Sequence, residues 1–202
     1  MKRIFIIVFT FVASCLSNEN SFFKSGDIIF HTSQSEQSKA LQIATKSEFS
    51  HMGIIFKEAD VFFVYEAVQP VKRTPLDEWI NRGLDAKYVV KRLKNAPDVL
   101  TPEALRSLKE SANKYLGKDY DLYFEWSEKK MYCSELVWKL YISVLEQQVG
   151  NLQKLKDLDL EHPVVQTKLK ERYGENIPLN EIIITPVAMY NSDLLELIFS
   201  NY

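Results

Sequence analysis

The chain is poor in the residues from which many structural and cofactor sites are built. It has two cysteines, Cys15 and Cys133, and three histidines, His31, His51 and His162. Two distant cysteines are no disulfide framework, and no close-spaced Cys/His cluster marks a metal centre. Six glycines and seven prolines in 202 residues exclude a collagen-like or linker-dominated chain. No glycine-rich phosphate loop occurs. A formal net charge of −2 leaves no electrostatic footprint for nucleic acid. What is present is a composition 46% hydrophobic and 12% aromatic, enough to bury one sizeable core.

The first residues differ from the rest. "MKRIFIIVFTFVASC" has a basic start, Lys2 and Arg3, then an apolar run from Ile4 to Ala13. The run is too short and wrongly flanked for a spanning helix, and residues 1–14 read as a secretory signal peptide. Its end, "VASC", resembles the bacterial lipobox. That resemblance implies cleavage before Cys15 and lipid attachment to its thiol. Ordinary signal-peptidase cleavage near Ser14 or Ser17 is the alternative. Both readings put the mature chain outside the cytoplasm, in the cell envelope, and the first anchors it to a membrane. Residues 15–25 then form a tether, and residues 26–202 one domain. A lipidated Cys15 leaves Cys133 with no internal partner, a free thiol in an exported protein.

Along the domain, "GDIIFH" (26–31) reads as a strand, and "SEQSKALQIATK" (35–46) as a helix capped by Ser35. "SHMGIIFKE" (50–58) and "VFFVYEAV" (61–68), parted by a short turn, read as an antiparallel hairpin. "TPLDEWINRG" (74–83) reads as a helix with Thr74 as cap and Pro75 in the first position. "KYVVKRLK" (87–94) is a strand whose lysines suggest a sheet edge. "TPEALRSLKESANKYLG" (101–117) repeats the Thr-Pro opening. Residues 132–148 form an apolar helix. Residues 149–176 are charged and partly helical, an insertion covering one side. A strand at 181–185 and a helix-like terminal segment follow. The sum is an α+β domain with helices around an antiparallel sheet.

Cys133 stands where a polar segment becomes that apolar helix. Leu136, Val137, Leu140, Tyr141 and Val144 recur three and four apart and mark its buried face. A helix N-terminus favours negative charge, and the thiolate is the nucleophilic form of cysteine. Free N–H groups there can also hold an oxyanion. Equally, a free cysteine can simply be a small buried hydrophobe. A thiolate catalyst needs a base. His162, before Pro163 in the charged insertion, reads as a surface residue. His31 ends the first strand beside polar residues, as a loop residue or part of a cleft. His51 opens the most apolar strand and can face a helix packed on the sheet, which makes it the better base. Glu66 is a carboxylate inside an apolar strand, level with His51 if the hairpin pairs. An unpaired buried carboxylate is costly, so Glu66 needs either a partner, His51 being the natural one, or an exposed edge.

"GDIIF", "SHMGIIF", "VYEAV", "YLGKDYDLYF" and "YCSELVWKLY" occur in an order that resembles the YiiX/YebB-like branch of the NlpC/P60 superfamily, permuted papain-like cysteine hydrolases. His51 precedes Cys133, as that permuted order requires. The resemblance implies a papain-like α+β fold: a barrel-like antiparallel sheet packed on helices, the nucleophile at a helix N-terminus. It implies Cys133 as nucleophile, His51 as general base and Glu66 as the group orienting it. Asp27 matches an acidic position near the family's cleft, although a turn residue before a strand explains it as simply. Tyr120 matches a tyrosine that can assist substrate or oxyanion binding, and a core or rim tyrosine is the alternative. No metal or organic cofactor is implied. The implied substrate is a peptide or amide, with cell-wall stem peptides favoured over acyl-lipid amides by the export signal.

Overall fold

The computed structural model describes residues 22–202; the signal peptide and the lipidation of Cys15 lie outside the described residues. Six strands form one antiparallel sheet in the order β4-β3-β2-β1-β5-β8. These are β1 (Ile28–His31), β2 (His51–Glu58), β3 (Val61–Glu66), β4 (Lys72–Pro75), β5 (Val89–Leu93) and β8 (Leu195–Ser200). A two-stranded ribbon, β6 (Gln153–Lys154) and β7 (Ile182–Ile183), lies apart. The helices are α1 (Glu36–Thr45), α2 (Leu76–Arg82), α3 (Ala96–Val99), α4 (Pro102–Asn113), α5 (Cys133–Leu145), α6 (Pro163–Tyr173) and α7 (Pro186–Tyr190). The sheet runs openly from β4 to β8 and has two edges; it is not the barrel-like sheet expected.

The expected hairpin is present: Glu58 pairs with Val61 across a two-residue turn, and Ile54 pairs with Tyr65. Period-two alternation divides its apolar residues between two cores. Met52, Ile54, Phe56 and Tyr65 join α5 in the larger one; Ile55 and Val64 join Leu76 and Trp79 of α2 in the smaller. Gly53 permits the close pairing of β2 and β3. A Cβ there would sit 2.4 Å from Val64 Cγ1 and 2.7 Å from the Tyr65 carbonyl oxygen.

Ser35 and Thr101 cap α1 and α4 as expected, their side chains accepting from the Ser38 and Ala104 N–H groups. Three further expectations fail. Thr74 does not cap α2; it belongs to β4, and its hydroxyl donates to Glu66. The strand at 87–94 is not an edge, because β5 lies between β1 and β8. Its cations are satisfied in place: Arg92 pairs with Asp27, and Lys91 sits over the Tyr190 ring. The terminal segment is helical only over α7, and "LELIFS" forms the edge strand β8. The 149–176 stretch is partly helical, as expected. Its α6 packs on α1, with Val165 and Leu169, joined by Leu155 from the preceding turn, clustered with Ala44.

Candidate active site

Cys133 is the first residue of α5, following Tyr132 at the N-cap, and is only 3% exposed. The helix start is fastened to the segment 183–185 from two sides. The Ser134 hydroxyl donates to the Ile184 carbonyl at 2.8 Å, and the Ile184 N–H donates to the Tyr132 hydroxyl at 3.1 Å. Within the first turn, Glu135 accepts from the Tyr132 N–H and pairs with Lys139 at 2.8 Å. Leu136, Val137, Leu140 and Tyr141 are all buried, so the packing face read from their spacing is the real one. These contacts leave the thiol little freedom.

His51 opens β2, opposite His31 in the register of β1 and β2. Its Nε2 lies 2.6 Å from Glu66 Oε2, and the Cys133 side chain is near enough to the imidazole to favour its charged form. With Nε2–H engaged by the carboxylate, Nδ1 is the nitrogen left for the thiol. Burial opposes the imidazolium, but Cys133 and Glu66 beside it outweigh that and raise the His51 pKa to about 9. The structure thus brings Cys133, His51 and Glu66 together, with His51 hydrogen-bonded to Glu66.

Glu66 is fully buried, which answers the question its sequence position raised. It has four partners: His51, the Thr74 hydroxyl at 2.6 Å, the Trp79 indole N–H at 3.0 Å and Arg82 Nη2 at 2.6 Å. Burial penalises the anion, but His51 and Arg82 outweigh that and hold the carboxyl well below its usual range. Thr74, Trp79 and Arg82 escaped the reading of the sequence. A signal existed for two of them: Trp79 and Arg82 are three apart in α2, and so share a face.

His31 is buried, its ring stacked on Trp79 at 3.9 Å between centroids and 5.3 Å from the His51 ring. Burial, reinforced by the charges of His51 and Arg82, pushes its pKa far below the ordinary value and keeps it neutral. Tyr120 lines the cleft with His51, Gln37, Leu41 and Gln69. Its hydroxyl accepts from Gln37 Nε2 at 3.2 Å, and burial together with the nearby Cys133 raises its pKa. Asp27 is not brought to this cleft. It precedes β1, at the other end of that strand from His31. There it is buried, with its carboxylate bound to Arg92 Nε at 2.6 Å and to the Lys24 N–H at 2.8 Å. The family's cleft position therefore corresponds here to a structural ion pair. His162 is exposed, as expected, and its Nδ1 accepts the Val164 N–H at the start of α6.

A buried thiol, an imidazole raised towards its charged form and a carboxylate fixed as an anion make a set suited to nucleophilic attack on a carbonyl. The class of protein follows from comparison with known families. Residues 23–199 match the model of the permuted papain-like amidase enzymes, YaeF/YiiX, C92 family, and the chain belongs to that family. Among individual relatives, it is 48% identical over 172 residues to the uncharacterized protein YiiX of Escherichia coli strain K12, covering 85% of this chain and 84% of that one. It also superposes on a crystal structure from Escherichia coli O157:H7, described as the metalloprotein yiiX, with a TM-score of 0.85 and 47% identity. That match spans 89% of this chain and 98% of the other.

Proposed function

We propose that this chain is a cysteine amidase of the NlpC/P60-like kind, with Cys133 as nucleophile, His51 as general acid and base, and Glu66 as the group that orients His51. The observation that supports this reading is the juxtaposition of Cys133, at the first residue of α5, with an imidazole hydrogen-bonded to the buried Glu66 carboxylate. In the first half-reaction the Cys133 sulfur attacks the amide carbonyl carbon. The oxyanion is received by the Cys133 backbone N–H and a neighbouring donor, with Tyr120 beside the cleft as a candidate. The imidazolium of His51 gives its proton to the departing amine, the C–N bond breaks and a thioester remains. In the second, His51 takes a proton from water, the hydroxide attacks the thioester, and the acid leaves as the thiol is restored. Glu66 stays ionised throughout, because four donors hold its charge.

The export signal and lipobox-like "VASC" favour an envelope lipoprotein, and with it cell-wall peptides as substrate. Although the E. coli O157:H7 protein is described as a metalloprotein, the described residues here gather no group of three or more His, Cys, Asp or Glu side chains to hold an ion. No step is routed through a metal.

The test is alkylation by iodoacetamide, read by mass spectrometry on the peptide carrying Cys133. Cys133 should react well above the rate of an ordinary free thiol at neutral pH, and His51→Ala should abolish the excess. An ordinary rate would remove the basis of the reading. Incubation with muropeptides and with acyl-lipid amides then separates the substrate classes; turnover of the lipids alone overturns the cell-wall assignment. Metabolic labelling with a palmitate analogue should mark the wild type and spare Cys15→Ser.

A further inference from the structure

The 149–176 segment has a place beside the cleft. Its helix α6 and the turn before it lie against α1, and the two enclose a small apolar pocket of about 60 Å³. Ala40, Leu41 and Ala44 line it from α1, Leu158 and Leu169 from the segment, and Phe124 from the loop before α5. This pocket adjoins the cleft. Gln37 and Leu41 line both, and the Phe124 ring packs edge-on against Tyr132, the residue before Cys133.

Two cations stand at the pocket, and they differ. Lys168 is committed to Glu171 at 2.8 Å and Glu36 at 3.1 Å. Arg172 has no ion-paired carboxylate among the described residues; its guanidinium lies over the Phe124 ring, 4.8 Å from the centroid. Its charge is felt by Tyr120, which in turn senses Cys133. An apolar cavity with a guanidinium beside it that pairs with no described carboxylate, adjoining the cleft, is the arrangement expected of a specificity site.

We infer that α6 builds a substrate subsite for a short aliphatic group bearing a carboxylate, with the group in the α1–α6 pocket and the carboxylate on Arg172. The size sets the class: a cavity of roughly 150 Å³ takes the six carbons of benzene, so one of about 60 Å³ admits roughly two or three carbons and no aromatic ring. On the proposed amidase reading, on which this inference rests, the substrate is an amide with a small aliphatic, acid-bearing unit close to the scissile bond. Arg172 recognises substrate and takes no part in bond breaking.

Binding can be read without turnover. The full chain is titrated with 4-methylpentanoate, 4-methylpentanamide and benzoate, following the methyl resonances of Leu41, Leu158 and Leu169 by NMR. The carboxylate should shift these saturably and bind about tenfold more tightly than its amide, the ratio given by one charge-assisted contact of about 1.4 kcal/mol. Benzoate should not reach them. Arg172→Gln, at a half-exposed position, should equalise acid and amide. Leu160 also lines the pocket, and Leu160→Phe, which fills it, should weaken both. Absence of saturable shifts, equal affinity for acid and amide in the wild type, or an unchanged preference in Arg172→Gln overturns the inference. Iodoacetamide alkylation of Cys133 in the same sample reports separately on the amidase reading: a reactive thiol with no carboxylate preference sinks the subsite alone.

Discussion

Replacing Glu66 by Gln keeps the shape of the side chain and removes its charge. The His51 pKa stands at about 9 against an ordinary 6.5, a preference for the imidazolium of roughly 3 kcal/mol. That preference comes from Cys133 and Glu66 together, after burial has been overcome. If Glu66 supplies about half, its loss moves the His51 titration down by roughly one pH unit. The chain has only three histidines, so imidazole 15N shifts across pH can be assigned directly. His51 should titrate near 9 in the wild type and about one unit lower in Glu66→Gln, while His31 stays neutral throughout. The stability consequence has a definite sign. A base whose pKa is raised on folding stabilises fully below its unfolded value and loses that contribution as pH rises through the folded value. The stability gap between wild type and Glu66→Gln should therefore be largest near pH 6 and narrow above pH 9, with the Arg82 contact accounting for what persists. A wild-type His51 that titrates near 6.5, or one unmoved by the substitution, refutes the reasoning.

Other outcomes follow from the same contacts. Thr74→Val removes a hydroxyl that donates to a buried carboxylate at 2.6 Å, and should cost about 1.5–3 kcal/mol in urea unfolding; a change within error would make the contact idle. Gly53→Ala places a methyl 2.4 Å from Val64 Cγ1, so β2 and β3 must shift, with an expected loss of about 1–3 kcal/mol. An alanine variant of wild-type stability would show the hairpin to be looser than described. Arg82→Gln should leave Glu66 with three neutral or shared donors and raise its pKa, readable by 13C carboxyl NMR. An unchanged carboxyl titration would assign the whole effect to His51.

Legibility in the sequence tracked how local each cause was. Ser35 and Thr101 cap helices through N–H groups three residues away, so the motif contains its own partner. The β2–β3 hairpin likewise follows from two β-rich runs and a short turn. Thr74 carried the same Thr-Pro signature as Thr101, yet its hydroxyl is taken by Glu66, a competitor that enters only when β4 pairs with β3. The lysines of β5 suggested an edge, but Lys91 lies over Tyr190 and Arg92 pairs with Asp27, partners from distant segments. "LELIFS" is short and adds its strand to β5, a pairing no local pattern announces. Within the site, Cys133, His51 and Glu66 were legible because each is anomalous where it stands: a lone thiol at a helix start, and polar residues in apolar strands. Thr74, Trp79 and Arg82 are ordinary in their surroundings and become notable only once Glu66 is seen to need donors.

The four donors to Glu66 all come from one stretch of chain, His51 through Arg82, whereas the thiol arrives with α5, after the intervening α3 and α4. Contacts close in sequence require less loop ordering and form earlier. The Glu66 cluster is thus built within one stretch of chain, and the sulfur is brought to it from outside that stretch. A chain whose α5 has not docked holds its thiol apart from His51 and Glu66, so the proposed site exists only where the two parts meet.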